Sequence, residues 1–84
     1  MNLLRDADVL ENLSENIRRT MQERGISQRA LAEMTDQPVM TINYLVNGRH
    51  MPGFGVVYRV AQVLGLSLDE LAEKPKPKKR SKTA

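Results

Sequence analysis

Apolar residues recur at helical intervals in five separate stretches of the chain, and nowhere do they alternate with polar ones as a half-buried strand requires. The first stripe is Leu10, Leu13, Ile17 and Met21, with Arg24 and Gly25 closing the helix behind it. Its start is left open. Asp8 has Glu11 three residues on, in capping-box spacing, and Ser14 is a second candidate, so the helix is expected to begin between Asp8 and Ser14. Ser27 then caps a short helix that turns Ala30, Leu31 and Met34 inward and ends near Thr35. Asp36-Gln37-Pro38 is a break, and Pro38, at home in a first turn, opens a third helix from Val39 to about Asn47. Ile42, Leu45 and Val46 are its inward residues, and Asn47-Gly48 stops it because both tolerate left-handed backbone. After a loop from Arg49 to Gly53, a fourth helix over Phe54 to Leu64 buries Val57, Val60, Ala61 and Leu64. Gly65 closes it. A fifth starts at Ser67, with Glu70 completing a capping box, buries Leu68 and Leu71, and finishes at Ala72-Glu73 before Pro75. The predicted fold class is all-α.

Composition narrows this picture. With 84 residues there is room for one domain, and 40% hydrophobic but only 4% aromatic residues make its core aliphatic and thin. The absence of cysteine excludes disulfides, zinc fingers, iron–sulfur clusters and thiol nucleophiles, and fits a reducing cytoplasm. His50 is the one histidine and has no matched carboxylate pair or second histidine to work with, so no enzyme, metal or cofactor is expected. No apolar run approaches the roughly 18 residues of a membrane span, and the first residues lack a signal-peptide layout. A cytoplasmic, soluble protein is the expectation.

The charge is unevenly spread. The net +3 combines an acidic body, which has no lysine, with a terminal KPKPKKRSKTA that contains no acid. This divides the chain into an N-terminal extension (1–9), a folded domain (10–73) and a basic flexible tail (74–84). Within the body, Gln37 to Leu68 holds no acid but includes Arg49, His50 and Arg59. A polyanionic partner follows from that separation, although a basic tail can also be a mere solubilising end. The outward side of the third helix would carry Val39, Met40, Thr41, Asn43 and Tyr44. A helix face free of acids suits the major groove of B-DNA, about 12 Å wide. Several of the candidate residues also have a plainer reading. Val39 and Met40 could be half-buried or form a protein-contact patch, Tyr44 could pack on the neighbouring helix, and Arg29 and His50 could be plain solvated positions.

The order Gly25-Ile26-Ser27-Gln28-Arg29-Ala30-Leu31-Ala32, Ile42, Asn47-Gly48-Arg49, Pro52 and Leu64-Gly65-Leu66-Ser67-Leu68-Asp69-Glu70-Leu71 resembles the Xre/Cro-type phage repressor family, over roughly Ser14 to Ala72. The resemblance implies a compact five-helix, lambda-repressor-like DNA-binding domain whose third helix enters the major groove. Carried over by position, Val39, Met40 and Tyr44 fall where base edges are read, with Thr41 and Asn43 adjacent. Ser27 and Gln28 fall where a phosphate is gripped, with Arg29 beside them, and Asn47, Arg49 and His50 fall on a second phosphate contact. Ala32 sits where the second helix crosses the third closely.

Departures from the family pattern are also visible. Val39 and Met40 stand where Gln, Ser, Lys or Arg are common, Asp36 replaces a turn glycine, and Pro38 a Ser or Thr cap. Met21 and Val46 replace an Arg–Glu pair by an apolar contact. The function implied is sequence-specific double-stranded DNA binding by a homodimer acting as a transcriptional regulator, a repressor, with no small-molecule ligand. The alternative is a protein-interaction module on the same fold, such as an antitoxin or a partner of another regulator.

Overall fold

The computed structural model describes residues 3–75. Five helices follow one another: α1 (Asp6–Arg24), α2 (Gln28–Thr35), α3 (Val39–Val46), α4 (Phe54–Leu64) and α5 (Leu68–Ala72). The expected all-α, five-helix architecture is the observed one. The expected flexible tail lies, from residue 76 on, outside the described residues.

Helix α1 begins two residues before the earliest expected start, so the last part of the anticipated N-terminal extension is its first turn. Arg5 provides no side-chain cap; Asp6 and Asp8 instead place negative charge against the exposed N–H groups of that turn. Val9 and Leu10 are already half-buried there. Ser14 is no start at all. It is buried in mid-helix with its Oγ donating to the Glu11 carbonyl, 3.0 Å away. Gly48 passes so close that a Cβ there would stand 3.2 Å from this Oγ, at a backbone φ of +66°. Only glycine meets both demands easily.

The core joins Leu13, Ile17 and Met21 of α1 with Leu31 and Ala32 of α2, Ile42, Leu45 and Val46 of α3, Val57, Val60, Ala61 and Leu64 of α4, and Leu71 of α5. Met21 and Val46 are both within it, as an apolar replacement of a polar pair requires. Met34 is not. It is exposed, and Thr35 takes the inward position because its hydroxyl can donate to the Leu31 carbonyl at 2.7 Å and so be buried without an unmet hydrogen bond.

The seam between α1 and α5 is held by polar groups. Asn16, 5% exposed, aims its Nδ2 at the carbonyls of Glu70, Leu71 and Glu73, at 3.1, 2.8 and 2.9 Å. Asn12 donates to the Ala72 carbonyl at 3.0 Å. Together they satisfy the carbonyls that a five-residue helix leaves open at its C-terminal end. Among the described residues, no helix is long and apolar enough to cross a membrane.

Candidate nucleic-acid interface

Helices α2 and α3 pack against one another, and α3 rests on α1 from its other side. Ile42, Leu45 and Val46 supply the inward stripe of α3, which leaves positions 39, 40, 43, 44 and 47 on the outer face. Val39 is 46% exposed, Met40 59% and Tyr44 40%, while Thr41 and Asn43 are half-buried at the flanks of the stripe. Val39, Met40 and Tyr44 all stand outside the buried core cluster, each keeping a substantial part of its surface exposed.

The start of α3 is simple. Pro38 occupies the N-cap at φ −62° and ψ 145°, and its carbonyl receives the N–H of Thr41 at 3.0 Å. Asp36 turns the chain between α2 and α3 in the left-handed region, φ 57° and ψ 45°, the one non-glycine among the described residues at positive φ. A short polar side chain makes that conformation tolerable where glycine would be the common choice.

The N-terminus of α2 lies beside the stripe. Ser27 caps it, its Oγ accepting the N–H of Ala30 at 3.0 Å. The Leu31 N–H goes to the Ser27 carbonyl. The N–H groups of Gln28 and Arg29 have no partner within the helix, and the first turn holds no acid. This is the open, positive end of a helix dipole. Gln28 and Asn43 are brought together: Asn43 Nδ2 donates to Gln28 Oε1 at 3.1 Å, which ties α2 to the middle of α3. The amide nitrogen of Gln28 keeps both its hydrogens for a donor role outward. Ser27 and Arg29 are exposed next to it.

Asn47, Arg49 and His50 lie past the C-terminal end of α3, all three exposed. Their backbone is pinned to the last turn, with the Arg49 N–H donating to the Tyr44 carbonyl at 2.9 Å and that of Gly48 to Leu45 at 3.1 Å. A shallow groove runs along the α2–α3 turn, where Arg29, Glu33, Asp36 and Val39 meet. Its two carboxylates make that edge unattractive to a phosphate backbone, so an anion is favoured on the Gln28 side instead.

Sequence reasoning missed Arg18. Its Nη1 reaches across from α1 to the Val46 carbonyl at 2.6 Å and so caps the C-terminus of α3 with a cation. No periodicity marks this residue, which is exposed on an otherwise ordinary face. Asn16 did leave a signal, since it falls among Leu13, Ile17 and Met21 as a polar residue beside an apolar stripe.

Comparisons with individually characterised proteins and with solved structures yield no match. A helix-turn-helix family model matches residues 17–71, from the middle of α1 through the end of the core in α5. That match covers most of the chain, and the chain belongs to the Xre/Cro-type helix-turn-helix family of DNA-binding regulators.

Proposed function

We propose that this protein binds double-stranded DNA sequence-specifically as a homodimer and represses transcription by occupying a promoter or operator. The observation that carries the reading is the combination of an unobstructed α3 stripe with an uncapped pair of N–H groups at Gln28 and Arg29. Such N–H groups grip a phosphate and fix the register of the protein, while an adjacent helix face meets base edges. Asn47, Arg49 and His50 would hold a second phosphate beyond the end of α3. The basic segment from Lys74 onward would add sequence-independent, salt-sensitive affinity.

A homodimer is favoured by an apolar surface outside the α2–α3 region. Phe54 is 68% exposed, its ring stacked on Tyr58 at 6.1 Å, and with Met51, Pro52, Val9 and Leu68 it borders a groove without a charged side chain. The same surface favours a second reading, a module that contacts another protein instead of DNA. Two dimer-related domains would address half-sites about one helical turn apart.

Binding to duplex DNA across a salt series separates these readings. Gln28→Ala and Arg49→Ala are expected to weaken binding, and Arg49→Ala, which removes a charge, should also lower the salt slope by about 0.9. A chain ending at Glu73 should retain specificity with a shallower slope. If both side-chain variants bind as the parent does, the DNA reading fails and the protein-contact reading takes its place.

A further inference from the structure

We propose that the α3 stripe reads the C5-methyl groups of pyrimidines in the major groove, rather than the hydrogen-bonding pattern of the base edges. This rests on the DNA-binding reading above and deepens it.

The exposed large hydrophobic side chains of the stripe are Val39, Met40 and Tyr44. Neither Val39 nor Met40 can donate or accept a useful hydrogen bond, and Tyr44 offers one hydroxyl, which cannot form a bidentate pair with a base. Bidentate recognition of guanine needs Arg or Lys and that of adenine needs Asn or Gln. The stripe contains no Arg or Lys, and its amide at position 43 is turned along the protein surface by its hydrogen bond to Gln28. The charged and amide donors nearby lie mainly at the two ends of the stripe, at Ser27 and Gln28 on one side and Asn47 and Arg49 on the other. Apolar atoms pressed against an unmethylated base edge would strip water from polar groups and return no hydrogen bond. Against a methyl group they lose nothing and bury apolar surface on both sides.

A methyl in that position has two sources, thymine and 5-methylcytosine. Valine and methionine suit either. The branched Val39 offers a fixed surface, and the unbranched, polarisable Met40 can adapt to a methyl whose place varies along the groove.

The test uses the full chain and four 30-base-pair duplexes of alternating sequence, measured by fluorescence anisotropy: adenine–thymine, adenine–uracil, guanine–cytosine and guanine–5-methylcytosine. Each methylated duplex is expected to bind at least about fourfold more tightly than its unmethylated counterpart, the equivalent of one buried CH2 per complex. The double variant Val39→Ala/Met40→Ala, altered only at exposed positions, should bind all four alike. A preference confined to one pair identifies thymine or 5-methylcytosine as the methyl read. Equal binding within both pairs, or a preference that survives in the double variant, overturns the inference and leaves DNA binding intact. No binding to any of the four duplexes, nor to genomic DNA fragments of mixed sequence under the same conditions, overturns the DNA reading itself.

Discussion

The joint between α1 and α2 and the joint between α4 and α5 are built alike. Each helix ends on a left-handed glycine, Gly25 at φ 67° and Gly65 at φ 72°. In each, the next N–H reaches back over the turn at 2.9 Å, from Ile26 to the Met21 carbonyl and from Leu66 to the Ala61 carbonyl. A serine then caps the new helix in extended conformation, ψ 164° at Ser27 and ψ 163° at Ser67, and accepts an N–H three residues on at 3.0 Å. The two diverge at that third residue. Glu70 turns back on the Ser67 N–H at 2.8 Å, and with Asp69 it fills the end of α5 with negative charge. Its counterpart in α2 is Ala30, which does neither. Closed by a carboxylate, the one helix end is structural; left open, the other is free to take an anion from outside.

Breaking the closed region should have the largest effect. Asn16→Ala removes the donor to the Glu70 and Leu71 carbonyls of α5 and that of its C-cap, Glu73, in a buried seam and is expected to cost about 2–3 kcal/mol, read as a lower midpoint in urea unfolding. A domain of this size has little more to lose. An unchanged midpoint would mean that α5 is not held by that side chain.

Converting the open end into the closed type is the sharper comparison. Ala30→Glu places a carboxylate where Glu70 stands in α5, so stability should hold or rise by about 0.5–1 kcal/mol. DNA affinity should fall at least tenfold, as a negative charge occupies the phosphate position. A gel-shift titration beside a thermal melt reads both quantities.

Smaller effects are expected from the caps themselves. Ser27→Ala and Ser67→Ala should each cost about 1 kcal/mol in folding. Only the first should also weaken DNA binding, since only its helix end is the proposed phosphate contact.

The helical architecture was legible because the punctuation is local. Gly25, Ser27, Pro38, Gly48, Gly65 and Ser67 each act within a few residues, and the bounds of α2, α4 and α5 follow from them. The start of α1 was less so, since Asp6 and Asp8 act there through their charge on the helix dipole and not through a side-chain cap. Met34 and Thr35 were exchanged because a helical stripe is drawn for apolar residues, whereas a threonine hydroxyl can return to its own helix and be buried. The outward stripe of α3 was visible once Ile42, Leu45 and Val46 were assigned inward. What the chain order could not reveal were hydrogen bonds between distant residues: Asn43 on Gln28, Arg18 on the Val46 carbonyl, Asn16 on the end of α5. Each depends on helices separated in sequence being brought side by side.

The likeness of the two joints also supplies their most direct test, an amide-resolved NMR titration of the full chain with duplex DNA. The N–H signals of Gln28 and Arg29 should move most, together with those of Val39 to Tyr44 and Arg49, while Leu68 and Asp69 at the equivalent end of α5 stay in place. Shifts gathered instead at Leu68 to Leu71, or at Met51 to Tyr58, with Gln28 and Arg29 unmoved, would contradict the assignment of the open helix end to DNA.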